Sequence, residues 1–502
     1  MAKRLIIEGD FTYREEVIPD PTPEPEPTPT PEPIPEPIPE PIPEPGPEPG
    51  PTPAYGLGPK VFVDPGGSIK QAISAAPQGQ DAVVILAEGV YDITETWIKE
   101  GISIRGAGIG KTIIKGGPFK LLSSALSEGN QEFSGFTLDG GDITGTGFLV
   151  QRRKNLIFHD LKIVNFKSKA IHLDIHAENV DIYNFDIRNC SRGVGAASEG
   201  NIQASGPLKN VHIHDGNIIH DSITRDYTGY GIKLMQDTRT GKGDTIENIE
   251  INNVFERLTI GNTWAATTVN FAIELINVAF KGFIKIHDND FHSSMSIMGA
   301  RFSTPGAAKV EIYRNNISFT GMVVEWGSHD IEFFDNWVHP SADVKSLSDI
   351  FANWDKQGDI HYNASIHHNL IEGYVGRVFR ARGIFNGIKM YNNTFVPGDS
   401  SSAVDLFRFN ENQSNIDIRN NIILGVNGGM AGAGQIFQIE GGQTVSNAVI
   451  EDNLINGNYD LNAGASYINN MINIDPEFEG TEPNPAFYRL KETSPAVGKG
   501  LY

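Results

Sequence analysis

The chain has 502 residues, of which 40 are Lys or Arg and 62 are Asp or Glu, so its formal net charge is −22. A chain this acidic repels phosphate, which argues against nucleic acid or an anionic membrane surface as its main partner. Its single cysteine, Cys190, excludes an intrachain disulfide framework. No apolar run approaches the roughly 18 residues that a membrane-spanning helix needs.

Residues 1–18 form a short first segment, in which apolar residues alternate with polar ones as in a strand. A peptide of this size is too small to fold alone, so we expect it to dock onto another protein as an anchor. It does not resemble a secretion signal, because only Leu5, Ile6 and Ile7 follow the basic start before Glu8.

Residues 19–57 form a tract rich in Pro and Glu. Proline fixes φ and removes a backbone donor, so this tract cannot form a helix or a sheet ladder. We expect a semi-rigid polyproline II linker with a rise of about 3.1 Å per residue.

The remaining residues, 58–502, open with a short amphipathic helix and then become repetitive. The helix covers residues 68–76, and its apolar face carries Ile69, Ala72, Ile73 and Ala76. A strand, Ala82–Leu86, follows it.

A recurring phrase, apolar-x-apolar-x-x-Asn-x-apolar, then runs through the chain. Alternation within the phrase is strand periodicity, and Asn suits a turn because it tolerates left-handed geometry and bonds main-chain groups. The pattern predicts the coils of a parallel β-helix with an internal asparagine ladder. The ladder residues are Asn289, Asn315, Asn336, Asn369, Asn393, Asn421, Asn453 and Asn470, and earlier coils fill the slot with Ala107, Phe136, Leu161, Phe185, Gly216 and Val254.

These features resemble the right-handed parallel β-helix superfamily of pectate lyases, chondroitinase-B-like lyases and phage tailspikes. The opening helix resembles the cap of the first coil in that superfamily. The segment from about 471 to 502 resembles its closing segment, through residues 473–478, 488–490 and 494–496. The resemblance implies an all-β domain over residues 58–502, a right-handed single-stranded parallel β-helix. It specifies the fold strongly and the function weakly.

A second strand precedes the phrase in each coil, and its outward residues align into two columns with about 4.8 Å per step. We expect these columns to form a groove for an extended polymer. The first column reads His172, Gly195, Lys233, Glu274, Gly299, Glu325, Ala352, Arg380, Arg408 and Gln438. The second column reads Asp174, Ala197, Met235, Ile276, Arg301, Gly327, Trp354, Arg382, Asn410 and Glu440.

Two chemistries suit this groove. Glu274 and Glu325 lie two coils apart, roughly 10 Å, which suits the carboxyl pair of an inverting glycoside hydrolase. Alternatively, Lys233 or Arg301 abstracts a proton beside a uronic carboxylate, in lyase chemistry that resembles the chondroitinase-B-like enzymes. Their local motifs do not match this chain residue by residue, and the Gly-His-Gly signature of polygalacturonases is absent.

The expected substrate-binding residues of the groove carry positive charge, hydrogen-bonding groups or an aromatic face that can stack on a sugar. They are Arg380, Arg382, Arg408, Trp354, Glu440 and His172. The alternative is that all these charges form a solvated solenoid face with ordinary cross-strand pairs.

No cofactor or metal ion is expected from the sequence. The run from Asp139 to Asp142 hints at calcium, but no repeated ligand set accompanies it. The pairs His212-x-His214 and His367-His368 lack a third spaced ligand for zinc, so we interpret them as solvated strand histidines.

Three functions remain open. The leading hypothesis is a virion appendage of the tailspike or fibre type, carried on a particle and released by lysis. Residues 1–18 would bind virion structural proteins, and the β-helix would contact, and in one version depolymerise, a host cell-surface polysaccharide. A homotrimer is an open alternative, although the C-terminal trimerisation module that tailspikes usually carry is not visible here; a monomeric or stalk-trimerised spike is the other alternative. The second hypothesis is a free polysaccharide lyase or glycoside hydrolase secreted by another route. The third is a decoration protein without enzymatic activity.

Overall fold

The computed structural model describes residues 3–8, 12–17 and 55–500. Within the last range it omits 193–198, 221–228, 238, 240–243, 259–270, 299–302, 320–323, 341–346, 354–358, 398–404, 425–433, 436, 440–442, 457–458, 461–464 and 480–488. The chain divides into two units, residues 1–52 and 53–502. In the first unit, strands Lys3–Glu8 and Thr12–Val17 pair antiparallel. The Pro-rich tract up to residue 54 lies outside the described residues.

The second unit opens with short strands around one helix, Ile69–Ala75. These strands are Lys60–Val63, Ala82–Leu86, Gly89–Ile93, Thr96–Trp97, Ile102–Arg105, Thr112–Gly116 and Phe119–Ser127. Longer strands, several of which turn corners of the solenoid, follow them. They are Gln131–Ile143, Phe148–Phe166, Ile171–Arg188, Gly200–Ser205, Leu208–Ile219, Tyr230–Met235 and Thr245–Arg257.

Shorter strands build the remaining coils. Those of the middle are Phe271–Ile276, Ala279–His287, Asp290–Phe291, Ser294–Met298, Ala308–Tyr313, Asn316–Phe319, Val324–Gly327, Ile331–Phe334, Trp337–Pro340, Leu347–Asn353, Ile360–His367 and Leu370–Ala381. Those of the end are Ile384–Tyr391, Thr394–Pro397, Asp405–Phe409, Gln413–Arg419, Ile422–Leu424, Gly434–Gln435, Phe437–Ile439, Val445–Glu451, Leu454–Asn456, Tyr459–Asp460, Ala465–Ile468 and Met471–Ile472.

Parallel pairing stacks these strands into three faces, apart from Gly434–Gln435 and Tyr459–Asp460, which form a separate two-stranded sheet. Sheet A runs from Lys60–Val63 to Ala465–Ile468 and includes residues 156–159, 180–183 and 211–214. Sheet B runs from Gly89–Ile93 to Met471–Ile472. Sheet C runs from Thr96–Trp97 to Phe437–Ile439. Each coil passes through A, B and C in turn, and because parallel crossovers are right-handed, the result is a right-handed parallel β-helix. The predicted fold class is confirmed.

The helix Ile69–Ala75 caps the first coil, as the sequence predicts. Ser68 ends the preceding extended segment and accepts a hydrogen bond from the Gln71 backbone N–H at 3.2 Å, a standard N-cap. Ile69 and Ile73 are both 2% exposed and belong to the main apolar core. Among the described residues, no helix is both long enough and apolar enough to cross a membrane.

The inward asparagines form the predicted ladder between sheets A and B. Asn336 Nδ2 donates to Asn369 Oδ1 at 3.1 Å, and Asn369 Nδ2 donates to Asn393 Oδ1 at 2.9 Å. The same amide of Asn369 also reaches the carbonyl of Phe333, one coil back, at 2.9 Å. The ladder therefore satisfies backbone groups that the corner leaves unpaired.

One local expectation about the ladder was wrong. The ladder asparagines are not in the left-handed region; the residue before each one is. Its φ lies near +50°, as in Asp288 (+55°), His368 (+54°) and Asn420 (+54°). The physical reason is that the ladder side chain must point inward, so the residue before it makes the turn and leaves its own side chain outside.

A second, outer asparagine ladder, which the recurring phrase does not predict, lies at the start of each sheet A strand in four successive coils. Asn155, Asn179, Asn210 and Asn248 all have positive φ, and each amide Nδ2 donates to the asparagine Oδ1 one coil back at 2.7–2.9 Å. Two lines of amides thus hold the register of neighbouring coils.

Candidate functional site

The outer face of sheet C carries the first predicted column, with two changes. Backbone register places His172, Gln203, Lys233, Glu274, Ser296, Glu325, Ala352, Arg380, Arg408 and Gln438 in one line. Gln203 and Ser296 occupy the places that the sequence alignment assigned to Gly195 and Gly299. The other eight members stand where the alternation of apolar and polar residues put them.

The second column requires corrections at Ala197, whose place Ser205 takes, and at Arg301. Register places Ser205, Met235, Ile276, Met298 and Gly327 in successive coils. Met298 therefore takes the place assigned to Arg301, because the inward pair Met295 and Ile297, both fully buried, sets this strand three residues earlier. Arg301 itself lies outside the described residues, as do Trp354 and Glu440.

The centre of the first column is a buried ion pair between neighbouring coils. The Lys233 ammonium contacts the Glu274 carboxylate, and the two residues are only 6% and 5% exposed. Ile232 and Leu234 point into the core on either side of Lys233, so its side chain projects from the outer face. The alternative of a fully solvated face therefore does not hold at this point.

Tyr230 completes this group. Lys233 Nζ lies 4.5 Å from the centre of the Tyr230 ring, within cation–π range. Burial, followed by the negative charges of Glu274 and Glu325, raises the pKa of Tyr230 to about 12. Because both carboxylates act on one phenol, the three acidic groups share one electrostatic environment.

The two carboxylates of the column have different surroundings. Burial raises the pKa of Glu274, and the Lys233 charge opposes this effect. Glu325 is half-buried, two coils further on, and its Oε2 accepts a hydrogen bond from the Ser296 hydroxyl at 2.7 Å. Glu274 therefore contacts an ammonium group, whereas Glu325 accepts from a hydroxyl group. The two carboxylates are separated by two strand spacings, about 10 Å.

His172 lies at one end of the column, two coils before Lys233. Burial, followed by the positive charge of Lys169, lowers the pKa of His172 to about 4, so the ring is neutral at physiological pH. Beside it, Asp174 accepts a hydrogen bond from Gln151 Nε2 at 2.8 Å and pairs with Arg239. This end of the groove presents neutral and paired polar groups.

The other end of the column is basic. Arg380 and Arg408 are adjacent in register and half-buried, and Arg382 is exposed just beyond Ala381. Ala352, fully buried, separates Arg380 from Glu325 by one coil. Three of the predicted substrate-binding residues therefore lie together, on the far side of the carboxylates from His172.

Sequence reasoning missed Tyr230, Ser296 and Gln203 as members of the site. Ser296 and Gln203 each stand between two inward apolar residues, for example Ile202 and Ala204. This apolar–polar–apolar alternation is the sequence signal that could have placed Gln203 and Ser296 in the outward column. No signal pointed to Tyr230, because its ring reaches Lys233 from the beginning of the strand.

Similarity to known proteins is confined to three-dimensional structure. No family model matches the chain, and no curated protein matches it. Solved structures do: ORF18 of Geobacillus virus E2 is 14% identical over 68% of this chain, with a TM-score of 0.39. That match spans 57% of the viral chain, short of two thirds of its length.

Two further solved structures illustrate the range of matches. A PL6 alginate lyase, solved in complex with a trisaccharide, is 11% identical over 88% of this chain and 92% of its own, with a TM-score of 0.44. The Streptococcus pneumoniae surface protein and adhesin PfbA is 14% identical over 80% and 95%, with a TM-score of 0.38. At these identities the likeness concerns the fold alone. The register of its own three sheets makes this chain a right-handed parallel β-helix.

Proposed function

We propose that the protein binds an extended polysaccharide along the outer face of sheet C and hydrolyses it at Lys233, Glu274 and Glu325. The observation that carries the proposal is the buried Lys233–Glu274 pair on an outward-facing column. Charged groups buried beside a perturbed tyrosine are typical of active sites, because burial costs free energy that a purely structural face does not require.

Hydrolysis is favoured over elimination by the contacts of Lys233. A lyase base must be free to take a proton from the sugar, whereas Lys233 is engaged by the Glu274 carboxylate. In the proposed step Glu325 takes a proton from water, and the water oxygen bonds to the anomeric carbon. The glycosidic C–O bond breaks, and its oxygen receives a proton from the Lys233–Glu274 pair. The separation of the two carboxylates predicts inversion of the anomeric centre.

The basic end of the column suggests which polymers to test. Arg380 and Arg408 lie two and three coils beyond Glu325 and suit an anionic sugar several units from the cleaved bond. Polymers that carry uronic acids or other acidic substituents are therefore the first candidates.

The test incubates the full chain with a panel of acidic and neutral capsular polysaccharides. Size-exclusion chromatography measures chain shortening, NMR identifies the new anomeric configuration, and ultraviolet absorbance reports unsaturated ends. We expect shortening with inversion and without new absorbance. Glu274→Gln and Glu325→Gln should each lower the rate by at least about 100-fold. Glu311→Gln, which breaks a Lys309 pair on sheet A, should leave it unchanged.

Other outcomes would contradict the proposal in distinct ways. New absorbance would show elimination and return Lys233 to the role of base. Binding without shortening across the panel would indicate an adhesin. Equal cleavage rates for the Glu274 and Glu311 variants would show that the catalytic site does not lie on the outer face of sheet C.

The same proposal gives residues 1–18 the role of a particle anchor and the Pro-rich tract that of a spacer. What supports it is a short strand pair, Lys3–Glu8 with Thr12–Val17, followed by a tract that cannot add to a sheet. Deleting residues 1–18 should abolish co-sedimentation with phage particles and leave glycan cleavage intact. Unchanged incorporation of the deletion variant would exclude the anchor.

A further inference from the structure

Two imidazoles and one carboxylate meet on the outer face of sheet A, away from the column on sheet C. Asp181 belongs to strand Ile171–Arg188, and His212 and His214 belong to Leu208–Ile219 in the next coil. Asp181 Oδ1 lies 3.1 Å from His214 Nε2 and 3.8 Å from His212 Nδ1. One ligand atom from each of the three residues lies within 4.8 Å of the other two.

The far nitrogen of each imidazole already has an oxygen partner. His212 Nε2 lies 2.7 Å from Asn252 Oδ1, and His214 Nδ1 lies 2.6 Å from Asp215 Oδ2. An oxygen acceptor favours a proton on the nitrogen that it contacts, so in a metal-bound state the opposite nitrogen of each ring would direct its lone pair towards the ion beside Asp181. Ligating histidines in metalloproteins are oriented in this way by outer carboxylates and amides.

The inward-facing atoms of the cluster are close enough to share one ion. His214 Nε2 and Asp181 Oδ1 lie within hydrogen-bond distance at 3.1 Å, and a metal ion would replace the proton that joins them. Stacking holds the rings in place: the His212 and His214 centres lie 3.8 Å apart, and Tyr183 packs on His214 at 5.2 Å. The donor set is preorganised before an ion arrives.

Exposure leaves room for an ion and its water. The side chains of Asp181, His212 and His214 are 32%, 39% and 17% exposed. With metal–ligand bonds of about 2.0–2.1 Å, tetrahedral ligand atoms are about 3.3 Å apart. The 3.1 Å between Asp181 Oδ1 and His214 Nε2 already fits that value. A small rotation of the half-exposed His212 ring would shorten the 3.8 Å between Asp181 Oδ1 and His212 Nδ1 to match it.

We propose that Asp181, His212 and His214 bind one divalent transition-metal ion of the zinc type, with Asp215 and Asn252 as positioning residues. Imidazole nitrogen favours Zn²⁺ and its neighbours in the first row, whereas Mg²⁺ and Ca²⁺ prefer oxygen ligands. The third ligand escapes a search for spaced motifs because it comes from the preceding coil, 31 residues before His212 by number but adjacent to it in register. The inference is independent of the proposed glycan site.

Sheet A also supplies a matched control. His287 lies in the same line of side chains, with Nε2 2.9 Å from Glu250 and Nδ1 2.7 Å from Asp288. It therefore has two carboxylate partners as His214 does, and its stacking partner is Tyr313 rather than a second imidazole. If sheet A attracted cations only through its surface charge, substitution of His214 and of His287 would weaken metal binding equally.

The experiment uses the full chain after treatment with a chelator. Calorimetry follows Zn²⁺ binding, and visible absorption of Co²⁺ reports nitrogen ligation. We expect one equivalent, with Co²⁺ bands that Zn²⁺ displaces. His214→Gln and Asp181→Asn should each weaken binding by more than about 100-fold, and Asp215→Asn by about 10- to 100-fold. His287→Gln should bind as the unaltered chain does.

Circular dichroism of each variant shows whether the β-helix is retained. Absence of stoichiometric Zn²⁺ binding by the folded chain would overturn the proposal. So would binding that survives Asp181→Asn and His214→Gln, or an equal loss in His287→Gln.

Discussion

At the scale of single residues, burial decides how each charged side chain behaves. Glu256 is the sharpest case, because it occupies an inward position of sheet B between Ile218 and Phe291 and is 1% exposed. Its carboxyl accepts hydrogen bonds from the Ser293 hydroxyl at 2.9 Å and the Leu258 backbone N–H at 2.8 Å. Burial nevertheless dominates and raises the pKa of Glu256 to about 7.

This shift predicts a pH dependence of stability. The unfolded chain ionises Glu256 near the ordinary glutamate pKa of 4.5, whereas the native state keeps the proton until about pH 7. Between these values the native state binds more protons, so the free energy of unfolding falls as pH rises, by roughly 3 kcal/mol in all. Glu256→Gln should remove this fall. Urea unfolding followed by circular dichroism between about pH 4 and pH 8 measures it.

Because other groups titrate in the same window, the difference between variant and unaltered chain is the quantity to compare. Glu311→Gln on sheet A is the control and should keep the full dependence. If the free energy of unfolding depended on pH in the same way for Glu256→Gln and the unaltered chain, this carboxyl would be ionised in the native state at acidic pH, against the prediction.

At the scale of elements, the inward asparagine ladder joins sheets A and B across coils. Asn369 is fully buried and bonds both neighbours. Its Nδ2 donates to Phe333 and Asn393, and its Oδ1 accepts from the Asn336 backbone N–H at 2.9 Å. Earlier coils place Phe136, Leu161 and Phe185 in the same slot, so the corner can be closed by packing as well as by amides.

Asn369→Ala should therefore cost more than the loss of one hydrogen bond. It leaves buried donors and acceptors on two neighbouring coils unpaired, at about 1–3 kcal/mol each, so we expect roughly 3–5 kcal/mol in the free energy of unfolding. Asn470→Ala, at the half-buried last rung, should cost about 1 kcal/mol. Urea unfolding measures both values.

Hydrogen exchange tests whether the Asn369 effect is local. In a solenoid each coil contacts only its neighbours, so protection should fall around residues 331–340 and 388–397 and persist in the first coils. Uniform loss of protection along the β-helix would contradict nearest-neighbour stability.

At the scale of the whole molecule, stacking turns distant residues into neighbours. On sheet A, the rings of His287, Tyr313, Phe334, His367 and Tyr391 form a continuous outer stack with centres 4.6–5.0 Å apart. On sheet C, the same geometry assembles Lys233, Glu274 and Glu325 from separate coils. The proposed glycan and metal sites thus lie on different faces and draw on different columns.

Much of the column on sheet C was predictable, because strand alternation assigns inside and outside residue by residue. Lys233, Glu274 and Glu325 follow from it directly. The alignment failed where Gln203 and Ser296 replace Gly195 and Gly299, since the number of residues between sheets B and C differs from coil to coil. Sequence spacing alone does not say where the chain re-enters sheet C.

By itself the sequence determined the architecture: the β-helix, its cap, the asparagine ladder and the order of most coils. Periodicity suffices for these because each coil repeats the same local physics of alternation and turn. Only the tertiary structure decided what the side chains do to one another. Register brought Tyr230 onto Lys233 and Asp181 beside His212, and burial paired Lys233 with Glu274, because such contacts depend on neighbouring coils that no local pattern encodes.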